Sequence, residues 1–337
     1  MYKAYITIPQ GEVYDTFITE KARKAWETFC IVEKNPYDRQ MTAEEVCTEA
    51  KDADIIIAGW GTISYNSDVI EKLPNLKFIV YTAGSTSVVA GDGSLFERGI
   101  KLLSGNEYFA MSVAEACLCY TICALRKIGL YYTEIKKSGW YTSKWENRGL
   151  FNKKVGIIGY GAIAKYFCEY LKTFTKDIMV YSNHLSEEQA KELGLQKAEL
   201  EEIFSTCDVV SIHSALTPKT EKFINKPLMS MMKKDAVLVN TARGAVVDEE
   251  AMIELLKEEK IYAAIDVYSM EAPLSGCLTE LQNIDRAFIM PHMGGPTIDM
   301  RGILTEQLAC EVKEYLENGV AMKSEISSGR SLKMSRN

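Results

Sequence analysis

The sequence predicts an α/β protein in which two parallel sheets follow each other along the chain. Short apolar runs alternate with amphipathic segments throughout. Ile55–Ala58 and Phe78–Tyr81 are continuously apolar, as expected of parallel strands that are covered on both faces. A third such run, Val155–Ile158, leads through a glycine turn into a helical segment. These observations predict a flavodoxin-like unit and a Rossmann unit.

Length and composition limit the kind of protein. A chain of 337 residues can form two domains, and 47% hydrophobic with 25% charged residues is typical of a soluble globular protein. A net charge of -7 makes nucleic acid an improbable partner, because phosphate binding needs a basic surface. No uncharged run approaches the roughly 20 residues of a membrane helix, so no membrane partner is expected. Nine cysteines without disulfide or metal spacing predict free thiols, a cytoplasmic location and no metal site.

The first unit is predicted from its alternating segments. Lys3–Ile8 is typical of a strand, and Thr19–Cys30 of an amphipathic helix. Thr42 and Glu45 form a capping-box pattern that opens a second helix. The two apolar strands described above follow. This order of strands and helices predicts a flavodoxin-like arrangement.

The second unit follows a long apolar segment, Ser112 to Leu130, which is interpreted as one helix, and an irregular aromatic segment, Gly139–Trp145. Six strands are then predicted: Val155–Ile158, Ile178–Tyr181, Val209–His213, Ala236–Asn240, Ala263–Asp266 and Phe288–Met290. Six strands are the number in a full Rossmann domain. Ile303–Leu316 is predicted to be a final helix, and the polar segment Lys323–Asn337 to be frayed.

The glycine turn has the pattern G-x-G-x-x-A between a strand and a helix. In this pattern Gly159 permits the tight turn, and Gly161 lets the backbone approach a pyrophosphate. Ala164 is small enough for the helix to pack on the strand. The backbone amides of Ala162 and Ile163 are then directed at the phosphates, at the positive end of the helix dipole. The turn predicts a dinucleotide cofactor.

The end of the second Rossmann strand bears on which dinucleotide is bound. An acidic residue usually stands there and binds the adenosine ribose hydroxyls, but this chain has Ser182 at that position. Without a carboxylate the 2′-phosphate of NADP is not repelled, and no nearby arginine favours it. His184 is interpreted as a surface loop residue. The sequence therefore leaves NAD and NADP open.

Three charged residues follow predicted strands of the second unit: Arg243, Glu271 and His292. The carboxyl ends of parallel strands are where open α/β sheets bind their ligands. An imidazole can move a proton, a carboxylate can orient it, and a guanidinium can present two parallel donors to a carboxylate or keto oxygen. Each residue also has a structural interpretation: a turn histidine, a solvated loop acid, and an arginine paired with Asp248. Asp266 could hold the nicotinamide amide or stabilise a turn.

The order of these motifs resembles that of the D-isomer-specific 2-hydroxyacid dehydrogenases. The motifs are G-x-G-x-x-A, N-x-x-R-G, D-V-x-x-x-E and P-H-x-G-x-x-T. The resemblance extends to Leu76-Lys-Phe-Ile, Ser112-Val-Ala-Glu115 and Leu216-Thr-Pro-Lys-Thr220. It implies an NAD(P)-dependent enzyme that transfers a hydride between its cofactor and a small 2-hydroxy or 2-keto acid.

The resemblance also implies domain boundaries and residue roles. A discontinuous substrate-binding domain, 1–111 with 295–337, would contain an inserted cofactor domain, 112–294, through which a homodimer would form. His292 would be the acid/base, Glu271 its orienting partner and Arg243 the substrate clamp. Candidate cofactor-binding residues are Gly159, Gly161, Ala162, Ile163, Ser182, Ser214, Ala215, Thr220, Thr241 and Asp266.

The loop after the Leu76-Lys-Phe-Ile strand departs from the family pattern. Gly84, Ser85 and Thr86 are the candidate substrate-binding residues. Thr86 stands where the family has a glycine, and its side chain is expected to narrow the pocket. Phe109 occupies a position that is commonly asparagine, and together with Trp60 it predicts a bulkier 2-keto acid than glyoxylate. A phosphorylated acid stays open, whereas Glu271 disfavours formate. The alternative from a different class is a cofactor-sensing regulatory protein on the same fold.

Overall fold

The computed structural model describes residues 1–140, 146–273 and 275–331. The chain divides into two compact units: unit 1 is Met1–Phe109 with Pro296–Asn337, and unit 2 is Ala110–Gly295. Most of the aromatic segment Gly139–Trp145 lies outside the described residues. Which unit binds substrate and which binds cofactor stays a prediction.

Strands and helices alternate along both units. The strands are β1 Tyr2–Ile6, β2 Cys30–Lys34, β3 Ile55–Ala58, β4 Phe78–Tyr81, β5 Lys101–Ser104, β6 Val155–Ile158, β7 Ile178–Tyr181, β8 Gln196–Lys197, β9 Val209–Ile212, β10 Val237–Asn240, β11 Tyr262–Ile265 and β12 Ala287–Ile289. The helices are α1 Glu12–Phe17, α2 Glu20–Glu27, α3 Ala43–Glu49, α4 Ser67–Ile70, α5 Ser94–Glu97, α6 Asn106–Arg126, α7 Ile128–Ser138, α8 Ala162–Leu171, α9 Glu187–Glu192, α10 Leu200–Thr206, α11 Lys226–Met231, α12 Glu249–Lys257, α13 Leu278–Leu281, α14 Ile298–Asn318 and α15 Ser328–Ser331.

Unit 1 has a five-stranded sheet with the order β2-β1-β3-β4-β5, in which all strand pairs are parallel. This is the flavodoxin-like order, which confirms that part of the predicted fold class. Strands β3 and β4 are fully buried, because helices cover both faces of the sheet. One of these faces is covered in part by α14, which packs on α1 and α2. The predicted capping box is present: Thr42 and Glu45 exchange backbone and side-chain hydrogen bonds at the start of α3.

Unit 2 has a seven-stranded parallel sheet with the order β12-β11-β10-β9-β6-β7-β8. From β8 to β12 this is the Rossmann order 3-2-1-4-5-6 with one further strand, so the Rossmann prediction is confirmed. Two hydrophobic clusters fill the two faces of the sheet. Because every pair is parallel, the carboxyl ends of β6, β7, β9, β10, β11 and β12 share one edge. All predicted residues of the cofactor domain that carry chemistry lie at or just beyond this edge.

The structure differs from the sequence interpretation in two helical regions. The segment predicted as one helix, Ser112 to Leu130, is two helices, α6 and α7, because Lys127 between them has a left-handed backbone with φ 55°. The predicted helix Thr19–Cys30 is shorter, and its last residue begins strand β2. Part of the segment Lys323–Asn337, which was expected to be frayed, packs on unit 1, where Ser324, Ile326 and Ser331 are buried.

Helix α6 is the one described helix that is long and apolar enough to cross a membrane by length and composition. Buried core helices of globular proteins meet the same criteria. Eight of its residues are buried, among them Ala114, Cys117 and Leu125, and these three belong to one hydrophobic cluster of unit 2. In this structure the helix therefore contributes a core face to unit 2.

Candidate active site

The glycine turn lies at the carboxyl end of β6. Gly159 has φ 93°, and a Cβ on it would lie 3.0 Å from backbone atoms of His213 and Ser214, so both its backbone conformation and its surroundings require glycine. Gly161 precedes α8 without a side-chain cap, and no atom lies within 4 Å of where its Cβ would be. Ala164 is fully buried against the sheet. The open space in front of the uncapped amides suits a pyrophosphate group.

The next strand end, after β7, carries Ser182. Its side chain is buried, and its Oγ accepts a hydrogen bond of 3.1 Å from the backbone N–H of His184. Asn183 and His184 are exposed. The hydroxyl therefore closes the turn after β7, and a neutral group stands where a carboxylate would bind ribose hydroxyls.

A half-buried histidine lies at the same edge. His213 Nε2 is hydrogen-bonded to Ser211 Oγ at 3.0 Å, and Ser211 Oγ lies 3.3 Å from Cys117 Sγ. The other ring nitrogen, Nδ1, is buried and has no hydrogen-bond partner among the described residues. Burial lowers the pKa of His213 to about 3, so the ring is neutral at physiological pH. His213 lies beside the glycine turn, and a polar group of a bound ligand could supply the missing partner of its Nδ1 atom.

The pKa of His213 has a consequence for stability. Its pKa is about 3 in the folded protein, below the ordinary value of 6.5. Between these two pH values the unfolded chain binds more protons than the folded protein, so stability falls as the pH falls. The stabilising contribution is complete above pH 6.5 and is at most about 2 kcal/mol smaller at pH 5. We expect His213→Asn to flatten the dependence of the free energy of unfolding on pH between 7 and 4.5, measured by urea denaturation.

The control for this experiment is His184→Asn, because it makes the same substitution at an exposed histidine. It should retain the wild-type pH dependence. Equal slopes for the two variants would show that His213 does not cause the loss of stability in acid.

The remaining candidates at this edge are held by backbone contacts. Ser214 Oγ donates to the carbonyl of Ile158 at 3.1 Å, and Thr220 Oγ1 donates to the carbonyl of Ala215 at 2.7 Å. Thr241 follows β10 and is buried. The structure therefore brings these predicted residues to the carboxyl ends of β9 and β10, next to the glycine turn.

His292 and Glu271 are in contact. His292 Nδ1 lies 2.8 Å from Glu271 Oε2, and both side chains are about half exposed. An ionised carboxylate accepts the Nδ1 hydrogen and leaves Nε2 to exchange a proton with a ligand. His292 has a left-handed backbone with φ 55°, which is rare for a residue with a side chain. The surrounding loop must therefore hold it in this conformation.

Asp266 holds that loop. Its side chain is buried, and its two carboxylate oxygens accept the backbone N–H groups of Met293 at 2.8 Å and Gly294 at 2.9 Å. The turn-stabilising interpretation of Asp266 therefore describes contacts that are present. Its own backbone N–H donates to Asn240 at the end of β10. Asp266 thereby ties the His292 loop to the sheet.

Two residues that the sequence interpretation did not single out position the same loops. Tyr268 is buried, and its hydroxyl is within hydrogen-bond distance of the carbonyls of Met290, at 2.8 Å, and Ile265, at 3.2 Å. A Cβ on Gly244 would lie 2.0 Å from the backbone carbon of Tyr268, so only glycine permits this close approach. The signals were available: an aromatic residue directly after a strand, and the glycine of N-x-x-R-G.

Arg243 follows β10 in an extended conformation. Its Nη1 donates to the carbonyl of Ala242 at 2.6 Å, and burial lowers its pKa, an effect that the charge of Glu271 opposes. Asp248, its alternative partner in the sequence interpretation, instead accepts the backbone N–H of Ala251 and caps α12. The structure therefore places a largely buried guanidinium within the electrostatic reach of Glu271.

The candidate substrate loop lies in unit 1, after β4. Thr86 is fully buried, and its Oγ1 lies 3.0 Å from Ser331 Oγ. Ser104 Oγ lies 2.6 Å from the carbonyl oxygen of Gly84 and 2.9 Å from that of Ala83. The Thr86 side chain is thus inside unit 1, where it contacts the carboxyl-terminal segment, and the expectation that it narrows a pocket has no support from its position.

An aromatic cluster adjoins this loop. A Cβ on Gly84 would lie 3.6 Å from the ring of Phe109, whose centroid is 6.2 Å from that of Trp60. Trp60 also packs edge-on against Phe17 at 5.1 Å. The guanidinium of Arg301 lies over the Trp60 ring at 4.9 Å. The carboxyl edge of the unit 1 sheet therefore has an aromatic wall with a cation on it.

Comparison with known proteins agrees with this architecture. Residues 118–294 match the family model described as D-isomer specific 2-hydroxyacid dehydrogenase, NAD binding domain. The chain is 31% identical over 283 residues to D-3-phosphoglycerate dehydrogenase of Methanocaldococcus jannaschii, covering 83% of this chain and 53% of that protein. It is 29% identical over 257 residues to hydroxypyruvate reductase of Thermotoga maritima, covering 76% and 82%. The alignment thus spans about half the length of the first relative.

The fold is also found in solved structures. That of D-2-hydroxyisocaproate dehydrogenase superimposes with a TM-score of 0.79 at 22% identity, over 97% of this chain and 99% of the other. Fold and glycine turn define a dinucleotide-binding oxidoreductase of the Rossmann class. The chain belongs to the D-isomer-specific 2-hydroxyacid dehydrogenase family. The predicted family, and with it the predicted class of NAD(P)-dependent oxidoreductase acting on 2-hydroxy or 2-keto acids, are confirmed.

Proposed function

We propose that His292 is the general acid/base of this dehydrogenase, that Glu271 orients it, and that Arg243 binds the substrate. The observation that carries the proposal is the 2.8 Å hydrogen bond between His292 Nδ1 and Glu271 Oε2, in the unit that also contains the glycine turn. A carboxylate on Nδ1 fixes the tautomer and supports the ring when it is protonated. The loop contacts of Asp266 and Tyr268 support a fixed position for this pair.

The cofactor would be held by backbone groups at the carboxyl edge of unit 2. A nicotinamide dinucleotide bound there supplies or accepts the hydride. The amides of Ala162 and Ile163 would bind its pyrophosphate, and Ser182 would face its adenosine ribose. Ser214, Ala215, Thr220 and Thr241 would line the remainder. The uncapped start of α8 and the unpartnered Nδ1 of His213 support this assignment.

The reaction would need two further contributions from side chains. When a keto acid is reduced, His292 would donate the Nε2 proton to the developing alkoxide, and in the reverse direction it would remove the hydroxyl proton. Arg243 would present parallel N–H groups to the carboxylate or keto oxygen of the substrate. Its burial supports this role, because a desolvated guanidinium interacts more strongly with an anion.

Substrate selection would depend on unit 1. Backbone amides of Gly84, Ser85 and Thr86 would bind the substrate carboxylate. The wall formed by Trp60 and Phe109 next to Gly84 supports a bulkier acid than glyoxylate, because aromatic surface gains free energy when an apolar side chain covers it. The substrate proposed is a 2-keto acid with a branched or aromatic side chain.

The function can be tested by following absorbance at 340 nm with NADH or NADPH and a panel of 2-keto acids. The panel runs from glyoxylate and pyruvate to 2-ketoisocaproate and phenylpyruvate, with a phosphorylated hydroxy acid tested in the oxidising direction. We expect the highest kcat/KM among the branched and aromatic acids. Turnover of glyoxylate alone would contradict the proposed substrate class. Cofactor binding without turnover of any member would favour a regulatory role.

We expect the residue at position 182 to determine whether the protein binds NADPH, which carries a 2′-phosphate, as well as NADH. We expect Ser182→Asp to weaken NADPH binding about tenfold or more while NADH binding is retained, because the new carboxylate repels the phosphate and can accept ribose hydroxyls. Dissociation constants can be measured from cofactor fluorescence without any substrate. Ser182→Asn is the matched control, with similar size and no charge. An equal loss of NADPH affinity in both variants would show that charge at this position does not select the cofactor.

We further propose a cytoplasmic homodimer that forms through unit 2. Helix α7 has no buried residue, and Ile128, Tyr132 and Ile135 on it are exposed. A second copy that covers these residues would remove apolar surface from water. All nine cysteines are free thiols, which supports a reducing compartment. We expect the wild type to sediment as a dimer and Ile135→Glu to sediment as a monomer. The control is Val13→Glu, which changes an exposed residue of unit 1 and should still sediment as a dimer. A wild-type monomer at micromolar concentration would contradict this.

A further inference from the structure

The carboxyl-terminal segment 322–331, here called the tail, is anchored along strand β5. Ser104 N–H donates to the carbonyl of Ser324 at 3.0 Å, and Ile326 N–H donates to that of Leu102 at 2.8 Å. Leu103 and Glu325 form an antiparallel bridge between them. The tail therefore adds antiparallel pairing to the edge of an otherwise parallel sheet.

Side chains reinforce this attachment. Met322 and Ile326 are buried, and each belongs to a different hydrophobic cluster of unit 1. Lys101 Nζ forms an ion pair of 2.8 Å with Glu325. Ser324 donates to Glu311 on α14 from both its backbone N–H and its hydroxyl, at 2.8 and 2.9 Å. These contacts determine where the short helix α15 begins.

Helix α15 delivers one side chain to the candidate substrate loop. Its last residue, Ser331, is 1% exposed, and its hydroxyl lies 3.0 Å from that of Thr86, which is 0% exposed. The two residues are 245 positions apart in the sequence. Removal of either hydroxyl costs free energy, because the buried hydrogen bond between the two side chains is lost.

Among the described residues, contacts hold the loop from Ala83 to Val89 at its start, its centre and its end. Ser104 holds its start through the carbonyls of Ala83 and Gly84. Its end is held by the N–H of Tyr65, which donates to the carbonyl of Val89 at 3.0 Å, and by Ser64. Ser331 contacts its centre, at Thr86. The central contact comes from the tail, whereas the other two come from residues close to the sheet.

We propose that the tail positions the substrate loop, and that Ser331 is a positioning residue for substrate binding. The proposal rests on the proposed role of Gly84, Ser85 and Thr86 in binding the substrate carboxylate. Backbone amides bind an anion well only when their directions are fixed beforehand. Ser331 fixes the centre of the loop through Thr86 without itself touching the substrate. Substrate affinity is thus controlled by the part of the chain that follows α14.

Ser331→Ala in the full chain is the first test. We expect KM for the best keto acid to rise about three- to tenfold, the effect of one lost buried hydrogen bond, while kcat and NADH affinity stay within twofold. Ser328→Ala is the matched control, since Ser328 lies in the same short helix and is exposed. A second variant, Thr86→Val, should raise KM similarly. The double variant should raise it no further than the larger single change, because the same bond is lost in each.

Amide hydrogen exchange provides a second measurement that does not depend on activity. We expect faster exchange in residues 83–90 of Ser331→Ala, with exchange in unit 2 unchanged. Identical KM and exchange in Ser331→Ala and Ser328→Ala would overturn the proposal. A parallel fall in kcat and in melting temperature would also overturn it, since that indicates a general structural role. If the wild type turns over no keto acid, the proposed function fails, and the exchange experiment still decides whether the tail orders the loop.

Discussion

His292→Ala is expected to lower kcat by about two to four orders of magnitude with the affinity for NADH unchanged. The imidazole is fixed by Glu271, with 2.8 Å between Nδ1 and Oε2, and its Nε2 is left to exchange a proton with the substrate. Removing it leaves the glycine turn and the strand ends intact. Steady-state kinetics with saturating cofactor, together with fluorescence titration of NADH, would measure both quantities.

Glu271→Gln is the companion variant for this prediction. It keeps an acceptor for Nδ1 and removes the negative charge, so we expect a smaller loss of kcat than in His292→Ala. The two changes should not add in the double variant, because both act on the same proton transfer. Near wild-type kcat in His292→Ala would show that His292 is a turn residue and that another group moves the proton.

Arg243→Lys is expected to lower kcat/KM by about two orders of magnitude, mainly through substrate binding and orientation. A lysine ammonium retains the charge but lacks the planar pair of donors that matches a carboxylate. The loss of one or two charge-assisted hydrogen bonds accounts for an effect of this size. The contact of Arg243 Nη1 with the Ala242 carbonyl also shows that the guanidinium is partly fixed by its own backbone.

The matched control is Arg39→Lys in unit 1. Arg39 makes two hydrogen bonds to the carboxylate of Glu45, at 2.8 and 2.6 Å, so the same substitution breaks a bidentate pair at a residue with no proposed role in binding substrate or cofactor. We expect unchanged kinetics there. If Arg243→Lys also leaves KM and kcat unchanged, the structural interpretation of Arg243 is the correct one.

The strands that could be predicted from sequence are those at the centres of the sheets. Ile55–Ala58 and Val155–Ile158 were predicted to the residue, because a strand covered on both faces needs an unbroken apolar run. The edge strands β2, β5 and β8 were missed, whereas the edge strand β12 was predicted as Phe288–Met290, one residue late. Cys30–Lys34 contains charged and exposed positions, and Gln196–Lys197 is wholly polar, since an edge strand contacts water. Their pairing depends on the neighbouring strand, which a local pattern does not contain.

The predictions for the helix ends and for the tail failed for the same reason, because a local sequence pattern contains no information about distant contacts. Lys127 breaks the segment into α6 and α7 without glycine or proline, the usual signals of a break. Its ammonium is held by Glu146 at 2.5 Å, a contact from 19 residues away. The polar tail was expected to be frayed because its composition is polar, yet Met322 and Ile326 suffice to anchor it. Tertiary contacts override local tendency in both places.

The sequence predicted those parts of the candidate site in which a motif contains the functional side chain. It did not predict the parts that depend on backbone contacts between loops. His292, Glu271 and Arg243 stand out as charged residues after apolar runs. Gly244 and Tyr268 each have a signal in the sequence, but their close approach could not be inferred, because it depends on two loops from neighbouring strands. The contacts of Asp266 with Met293 and Gly294 show a turn-stabilising role that the sequence pattern alone did not establish, and its role in holding the nicotinamide amide stays a prediction.

The discontinuity of unit 1 has a consequence for synthesis on the ribosome. Its hydrophobic cluster includes Leu304, Leu308 and Val312 of α14, so the first 109 residues emerge with one face of their sheet uncovered. Unit 2 is continuous along the chain and can complete its core before α14 of unit 1 has been synthesised. A nascent chain halted near residue 295 would therefore expose the apolar face that α14 later covers. Chaperone binding to such arrested chains should persist until α14 has emerged from the ribosome.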